Sequence, residues 1–433
     1  MNSGFPGASI LTSPQAEDLL RAALAPEGAT LESWAIDDVN ARPGAETSVG
    51  YQVVSSRELN GAPVQLEEYL IASTFDAHDL PSGVVRLIND DPDTPPITLW
   101  RHPADPLLPA LAGACDLRSV SRLWQRVLPA GTQLGDQTVE VVAYRPMRRA
   151  VIRASCGEYQ IYLKVVRTKA LRDLVRRHRL LVEAGVPTPP VLEHSREGMI
   201  VLDHAEGTRG VDRIADAEPS AQHDAISAEV LTDLLDRLPA AAVDLPRRTP
   251  WAEHYPIYAE FLDRRLRRTD ATDLGFLLKE LWADHDLGPT VPTHGDFHAA
   301  NVYFADTGQV SSLLDVDTLG PGHRVDDLAC FLAHLTVLPS LDPPAYPGVP
   351  ALAARLTEEF GRQVPTDLLL ARAAACVVSL ACGVDTDRLA QEWLRVAQLL
   401  ATAAREHHEG RLSDLSSTKG FLTDISPLAY GAG

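Results

Sequence analysis

The chain has 433 residues, 45% of them hydrophobic and 23% charged, which is enough for two or three domains with apolar cores. Its formal net charge of −20 argues against a protein that binds nucleic acid or an anionic membrane. The five cysteines are scattered without a C-x-x-C pair. No uncharged apolar run approaches the roughly 18 residues of a membrane span, and no signal peptide is recognisable. These features predict a soluble cytoplasmic protein.

Residues 1–135 predict an N-terminal α+β domain. A proline after Ser13 opens a helical pattern, and alternating apolar residues follow it. Strands are expected over 30–36, 47–55 and 66–73, and a helix over 117–127.

Residues 136–205 predict a second domain, with five strands and one helix. Alternation of apolar residues indicates the strands, and a glycine followed by prolines ends the helix. The strands are expected over 138–144, 150–154, 159–166, 191–194 and 199–203, and the helix over 171–184.

Residues 206–433 predict a mainly helical domain, interrupted by one β-type segment over 293–317. A short irregular segment inside a helical domain is a candidate functional site. The last residues, roughly 20 of them and rich in Ser, Gly and Thr, predict a poorly ordered tail. Helices are expected over 221–238, 254–268, 274–284, 326–338, 351–363, 366–383 and 385–408.

The segment 293–317 carries polar residues that suit a magnesium site. Its apolar stretches predict a short hairpin, which brings Asn301 at the start of one strand beside Asp315 at the end of the other. Amide and carboxylate oxygens are the hard ligands that Mg²⁺ prefers. Asp296, in the preceding loop, then lies nearby as a second carboxylate that accepts a proton. This set of groups favours phosphoryl transfer.

This arrangement resembles the aminoglycoside phosphotransferase family, whose relatives include choline kinases and protein kinases. The family signature is H-G-D-x-x-x-x-N followed by a metal-binding aspartate, and it is matched by His294 to Asn301 and then Asp315. The resemblance implies that Asp296 is the catalytic base and that His294 supports the loop. It also implies that Asn301 and Asp315 hold Mg²⁺. Asp327, in a D-L-A segment downstream, is then expected to anchor the loop.

The same resemblance implies an ATP site. Lys164 resembles the strand-borne lysine that contacts the α- and β-phosphates, although a solvent-facing lysine on an edge strand is the alternative. Asp203 and Ala205 resemble the hinge, whose backbone C=O and N–H bind adenine. The turn 145–149 would cover the phosphates. Residues 140–180 carry 11 basic and 3 acidic residues, which suits a polyphosphate, although a solvated basic helix face explains them equally.

One feature departs from the family pattern. The glutamate that usually pairs with the lysine is missing, because its expected position falls near Val175. Asp173 is the nearest acidic replacement. This departure keeps open a second hypothesis, that the chain is a catalytically inactive kinase-like protein with a binding or regulatory role.

Two further groups of residues have a second interpretation, one as a metal triad and the other as an aromatic surface. His294, Asp296 and His298 are spaced like part of a binuclear metallophosphatase site, but the further histidine blocks of those enzymes are missing from the sequence. Four aromatic residues either pack in the core or form an acceptor-stacking surface. They are Trp251, Tyr255, Tyr258 and Trp282.

We therefore expect an α+β, bilobal protein-kinase-like fold with a five-stranded N-lobe, a mainly helical C-lobe and an N-terminal cap domain reminiscent of maltokinases. The expected reaction transfers the γ-phosphoryl group of ATP, with Mg²⁺, to a hydroxyl of a small molecule. A sugar, an amino sugar, an aminoglycoside or a similar polar metabolite is expected as acceptor. The sequence predicts neither the identity of the acceptor nor the oligomeric state.

Overall fold

The computed structural model describes residues 8–41, 46–59, 62–76, 81–88, 96–283 and 285–411. The predicted C-terminal tail lies outside these ranges. The chain divides into two compact units, the first formed by residues 1–175 and 191–204 and the second by residues 176–190 and 205–433. Within the described ranges, no helix is both long and apolar enough to cross a membrane.

The first unit begins with an antiparallel sheet in the order β1-β2-β3-β5-β4. Leu20 and Leu24 of the second helix share a core with Val49 and Tyr51 of the sheet. The Tyr51 hydroxyl donates to the carbonyl of Leu11 at 2.6 Å. The elements are α1 (Ala8–Leu11), α2 (Ala16–Leu24), β1 (Thr30–Asn40), β2 (Ser48–Leu59), β3 (Ala62–Ser73), β4 (Val84–Leu87) and β5 (Ile97–Arg101).

The second sheet of this unit is also antiparallel and has the order β6-β7-β8-β10-β9. The five strands and the helix that follows β8 were predicted from the sequence. The elements are α3 (Leu111–Cys115), α4 (Leu117–Val127), β6 (Gln137–Arg145), β7 (Arg149–Cys156), β8 (Tyr159–Val166), α5 (Thr168–Glu183), β9 (Val191–Ser195) and β10 (Met199–Asp203).

Helices α3 and α4 cover one face of this second sheet. Leu123 and Trp124 of α4 are buried with Leu163 and Val165 of β8 in one hydrophobic core. Asp116 caps α4 by accepting the N–H of Ser119 at 2.8 Å. The apolar face of the sheet is therefore buried by residues that precede it in the chain.

The second unit is mainly helical, as predicted, and contains two small sheets, β11-β13-β14 and β12-β15. The α+β class, with a five-stranded sheet followed by a helical part, is confirmed. The elements are β11 (Thr208–Arg209), α6 (Gly210–Asp216), α7 (Ala228–Asp236), α8 (Tyr255–Leu266), α9 (Asp270–Ala283), β12 (Val291–Thr293), β13 (Val302–Phe304), β14 (Val310–Leu313), β15 (Gly320–Gly322), α10 (Arg324–Leu341), α11 (Val349–Phe360), α12 (Thr366–Ala381) and α13 (Asp387–His408).

The predicted helix over 221–238 is wrong in its first part. Residues 222–224 form a single 3₁₀ turn, and the α-helix begins only at Ala228. The side chain of Gln222 explains the difference, because it donates to the carbonyl of Ala345 and accepts the N–H of Gly348. These bonds fix the turn against a distant segment.

The aromatic residues of the second unit mostly pack inside it. Tyr255 is buried and its hydroxyl donates to the carbonyl of Ala271, while Trp282 lies under the guanidinium of Arg372. Trp251 and Tyr258 are partly buried against the same helical core. These contacts favour the core interpretation of the four residues.

Candidate active site

The backbone of the loop after β12 is held by one buried carboxylate. Asp327, in the first turn of α10, accepts the N–H of His294 at 2.8 Å and the N–H of Gly295 at 2.7 Å, one on each oxygen. The side chain is 1% exposed. Burial raises the pKa of Asp327 to about 6, against the opposing effects of His294 and of the two N–H groups. Hydrogen bonds to an ionised acceptor are among the strong ones, so the loop is rigidly positioned.

His294 connects this loop to the hairpin that follows. Its ring is fully buried, with Nε2 2.9 Å from the carbonyl of Leu314 and Nδ1 3.3 Å from the N–H of Asp296. Because a carbonyl only accepts, the bonding pattern assigns the proton to Nε2 and leaves Nδ1 as the acceptor. Both ring nitrogens are thus used inside the site, which argues against His294 as a metal ligand and against the metallophosphatase interpretation.

Gly295 is required by close packing in the loop. Its φ is +80°, and a Cβ there would lie 3.0 Å from Cβ and 3.1 Å from the carbonyl oxygen of Thr318. The Thr318 hydroxyl also donates to the carbonyl of His294 at 2.6 Å. Any other residue at position 295 would be strained and would push the loop away from this support.

Asn301 is oriented by bonds from its amide nitrogen. Nδ2 donates to the carbonyl of Asp296 and to Nε2 of His298, both at 3.0 Å. The amide oxygen is therefore left as the atom that can coordinate a cation. The backbone of Asn301 is also tied to the hairpin, because its carbonyl accepts the N–H of Leu314 at 2.8 Å.

The hairpin places Asp315 one residue beyond this contact. Strands β13 and β14 pair with Val302 opposite Leu313, so the chain around Asn301 runs beside the chain that leads into Asp315. Asp315 itself adopts left-handed backbone angles, φ 52° and ψ 50°. A residue other than glycine in this region is uncommon, and such strain is often found at functional sites.

His298 and His334 lie next to these groups and were not predicted to support the site. Their rings stack at 4.1 Å with an interplanar angle of 14°, and Nε2 of His298 is 4.0 Å from Oδ1 of Asp296. Burial lowers the pKa of His298, although the carboxylates of Asp296 and Asp315 both oppose this effect. No local motif marks His334, because it lies within the apolar pattern of α10.

The donor set of this cluster fits Mg²⁺. It offers an amide oxygen from Asn301 and a carboxylate from Asp315, with Asp296 as a further carboxylate nearby. Oxygen ligands of this kind are what Mg²⁺ prefers, whereas the neighbouring group of Asp296, His298 and His334 offers the histidine nitrogens that zinc prefers.

Lys164 lies on β8, the central strand of the second sheet of the first unit. It is opposite Val151 on one neighbouring strand and Ile200 on the other, and it is 7% exposed. The edge-strand interpretation is therefore wrong. Because side chains alternate along a strand, Lys164 lies on the face opposite to Leu163 and Val165, which pack against α3 and α4.

Asp173, the candidate partner of Lys164, and the candidate hinge residues Asp203 and Ala205 lie in the following surroundings. Asp173 forms a 3.8 Å ion pair with the exposed Arg172. Asp203 ends β10, and its side chain accepts the N–H of His204 at 2.8 Å. The ring of His204 stacks on Tyr162. Ala205 belongs to the second unit and is buried.

Comparison with known families places this loop inside a region that is similar to phosphotransferases. Residues 157–348 match the family described as APH, the phosphotransferase enzyme family. The matched region contains Lys164, the loop 294–301 and Asp315. The predicted membership in a kinase-like small-molecule phosphotransferase family is confirmed, as is the prediction of an enzyme. The match does not include the N-terminal domain.

Solved structures with a similar fold include three phosphotransferases. A choline/ethanolamine kinase family protein from Mesorhizobium loti is 14% identical, with 71% of this chain and 100% of that chain covered and a TM-score of 0.43. A mutant of APH(4)-Ia in complex with ADP and hygromycin B is 15% identical, with 72% of this chain and 99% of that chain covered and a TM-score of 0.39. APH(3'')-Id from Streptomyces rimosus is 19% identical, with 65% of this chain and 98% of that chain covered and a TM-score of 0.34. Because all three scores are below 0.5, the family assignment depends on residues 157–348 alone.

Curated protein sequences gave no match to this chain.

The first prediction concerns Asp327→Asn. An amide keeps one acceptor and loses the other, so one N–H of the loop loses its partner, at a cost of about 1–3 kcal/mol. Raising the pKa of a carboxyl from 3.8 to about 6 corresponds to about 3 kcal/mol against the ionised form, and the amide removes this cost. We therefore expect little change in Tm but a roughly 10- to 100-fold fall in turnover, because the loop is misplaced.

Steady-state kinetics and thermal unfolding of the same preparations check this. Asp306→Asn, on the exposed turn between β13 and β14, is the control and is expected to leave both quantities unchanged. A large loss of Tm with normal turnover in the folded fraction would contradict the positioning role of Asp327.

Proposed function

We propose that this protein is an ATP-dependent kinase that transfers the γ-phosphoryl group to a hydroxyl of a small polar metabolite. The observation that carries the proposal is the joint placement of Asp296, Asn301 and the segment leading into Asp315 by one anchored loop and one hairpin. The family match over residues 157–348 supports the same reaction class. A sugar, an amino sugar or an aminoglycoside is the proposed acceptor class, and the net charge of −20 favours a neutral or cationic acceptor. The cytoplasmic location remains a prediction.

In the proposed mechanism, the carboxylate of Asp296 accepts the proton of the acceptor hydroxyl and orients its oxygen for in-line attack. His294 and Asp327 hold the loop so that this carboxylate needs no rearrangement. Bound through Asn301 and Asp315, Mg²⁺ would neutralise charge on the β- and γ-phosphates. Lys164 would contact the α- and β-phosphates, while the backbone of Asp203 and Ala205 would bind the adenine. Most of the acceleration then comes from alignment and electrostatic stabilisation.

We propose the same three-part organisation as the sequence indicates: residues 1–135 as a cap, 136–205 as the nucleotide-binding part and 206–433 as the acceptor-binding part. The proposed catalytic roles are divided in the same way, because the proposed base and metal ligands all come from residues 206–433. The proposed phosphate contact of Lys164 comes from the second.

ADP release with Mg·ATP, measured over a panel of sugars, amino sugars, aminoglycosides and amino alcohols, tests the activity. Turnover with at least one hydroxyl acceptor is expected. Nucleotide binding without turnover on the whole panel would favour the inactive binding protein. Its support is the departure from the family pattern at Val175, where the glutamate that usually pairs with the lysine is expected.

The second prediction separates the base from the metal ligand. Asp296→Asn removes the proton acceptor and is expected to lower turnover by about 10²- to 10⁴-fold, with nucleotide affinity retained. Asp315→Asn keeps a residue type that tolerates the left-handed backbone, and it is expected to weaken binding of a Mg²⁺-complexed, non-hydrolysable ATP analogue. Calorimetric titration with and without Mg²⁺ measures both. Equal Mg²⁺ dependence in Asp315→Asn and the wild type would remove Asp315 from the metal site.

The third prediction concerns His298, which accepts a hydrogen bond from the Asn301 amide. Without this acceptor the amide is less firmly oriented, so His298→Ala is expected to raise the Mg²⁺ concentration for half-maximal activity by about 10- to 100-fold, in line with typical losses for groups that orient metal ligands. His298→Gln, which restores an acceptor, is expected to recover part of it. An unchanged Mg²⁺ requirement in His298→Ala would contradict the positioning role.

Residues of the N-terminal domain contact the turn 145–149, which we propose covers the phosphates. Met147, at the centre of this turn, has a φ of +59°, and its side chain is fully buried with Ile71 and Trp100 of the first sheet. Its N–H donates to Oδ2 of Asp105 at 2.7 Å, and its carbonyl accepts Nε of Arg167 at 2.5 Å.

A tyrosine links this turn to the same sheet. The Tyr144 hydroxyl donates to Oδ2 of Asp105 at 2.7 Å and accepts Nε1 of Trp100 at 3.0 Å. Asp105 is buried, so its bonds form in a low-dielectric environment where such networks are strong. These contacts support a positioning role for the cap.

The fourth prediction tests this role with two matched variants. Tyr144→Phe removes the hydroxyl between Trp100 and Asp105 and is expected to raise KM for ATP several-fold, because the turn is held less firmly. Tyr51→Phe removes one buried hydrogen bond elsewhere in the cap and is the control. Both should lower Tm, Tyr144→Phe the more because it removes two hydrogen bonds and Tyr51→Phe only one. Equal KM values for the two variants would show that the cap does not position the turn.

A further inference from the structure

A cluster of two histidines and one aspartate lies in the second unit and takes no part in the proposed chemistry. His285 follows α9, Asp367 is in the first turn of α12, and His408 is the last residue of α13. We call these three residues the His-Asp-His cluster. Each comes from a different helix or helix end, so the cluster is not the by-product of one amphipathic pattern.

The three side chains converge on one point. Nε2 of His285 is 2.7 Å and Nδ1 of His408 is 2.8 Å from the same oxygen, Oδ2 of Asp367. All three donor atoms lie within 4.8 Å of one another. The other oxygen of Asp367 accepts the N–H of Leu368 at 2.9 Å, which fixes the orientation of the carboxylate.

Hydrogen bonding alone also accounts for these short distances, if both imidazoles donate to the carboxylate. Burial would raise the pKa of Asp367, but hydrogen bonds from His408, His285 and the N–H of Leu368 outweigh it and keep the pKa below its ordinary value. The carboxylate is therefore ionised at neutral pH. An ionised carboxylate with two imidazole nitrogens is a donor set that Zn²⁺ binds well, and solvent-derived oxygen commonly completes such sites.

Access and geometry are compatible with an ion. The side chains of His285 and His408 are 17% and 35% exposed, so an ion and a water ligand can reach the cluster from solvent. Zinc–ligand distances of about 2.0–2.1 Å in a tetrahedron separate the ligand atoms by roughly 3.3 Å. Each imidazole nitrogen would therefore lie only ~0.5 Å further from Oδ2 of Asp367 than it does now, and the ring of His408 is at a partly exposed helix end where it can adjust.

We propose that the His-Asp-His cluster is a zinc site that fastens the last turn of α13 to the first turn of α12 and to the segment after α9. Both imidazoles bind as neutral ligands through the nitrogens that face Asp367, so the proton on each of these nitrogens moves to the other ring nitrogen as the zinc bond forms. With three protein ligands and solvent in the fourth position, this site is distinct in its ligand chemistry from the oxygen-rich magnesium site proposed for Asn301 and Asp315.

The test uses full-length protein stripped of metal with a chelator and then titrated with ZnCl₂ in the presence of excess MgCl₂. The magnesium keeps the proposed catalytic site occupied. We expect one zinc per chain by atomic emission and, at a large excess of Zn²⁺ over Kd, a rise in Tm of roughly 5 °C. Substitution by Co²⁺ should give the visible absorption of a nitrogen- and oxygen-ligated ion, without a thiolate band.

Variants decide where the ion binds. His408→Ala, at a partly exposed helix end, and Asp367→Asn are expected to lose both the bound zinc and the rise in Tm. His407→Ala, one residue away on α13, is the control and should keep them. The metal-free Tm and circular dichroism of each variant report whether it folds.

Two outcomes would overturn the proposal. Absence of zinc from the wild type would leave a hydrogen-bonded cluster only. Equal zinc content and equal shifts in Tm in His408→Ala and the wild type would place the ion elsewhere, for example at Asp296, His298 and His334. Neither result bears on the proposed kinase activity, which is measured by ADP release.

Discussion

Two backbone N–H groups donate to the buried carboxylate of Asp327, and the geometry of the whole catalytic loop depends on this interaction. The carboxylate fixes the peptide that carries His294, and the ring of His294 in turn holds the carbonyl of Leu314. Because Leu314 directly precedes Asp315, one interaction on α10 sets the position of both sides of the site. A charge buried to this degree is costly, so the surrounding helical core has to be stable enough to tolerate it.

The loop and the hairpin of the candidate site could be predicted from the sequence because both are local elements. The spacing from His294 to Asn301 lies within one loop, and a short hairpin with a clear turn signal brings in Asp315, so few chain conformations satisfy the pattern. The strands of the second sheet were equally predictable, since alternation along Tyr159–Val166 is regular. The helix over 221–238 failed because a polar side chain, Gln222, bonds to residues more than 120 positions away, and local propensity contains no information on such contacts.

The residues that the sequence did not reveal act through long-range contacts. His334 sits in the apolar pattern of α10 and is marked only by its stacking on His298. Met147 reads as an ordinary turn residue, yet its side chain is buried with Ile71 and Trp100 of a different sheet. A single sequence shows its composition and the periodicity of its apolar residues, but it does not show which distant segments come into contact. Residues that support a site through such contacts are therefore harder to predict than the proposed metal ligands that they support.

The two faces of the second sheet are used differently, and this explains why the N-terminal residues are part of the same compact unit. Leu163 and Val165 are buried against α3 and α4, which precede the sheet, while Lys164 lies on the opposite face. Without α3 and α4, the apolar face would be exposed to water at a cost of about 1.5–3 kcal/mol for each large side chain uncovered. The sheet that carries the proposed phosphate contact therefore needs residues 108–127 for its own stability.

The turn between β6 and β7 is also held by a residue that precedes the sheet, because Asp105 accepts the N–H of Met147. Residues 105–127 are thus better regarded as a structural part of the sheet that carries Lys164 than as part of a separate added module.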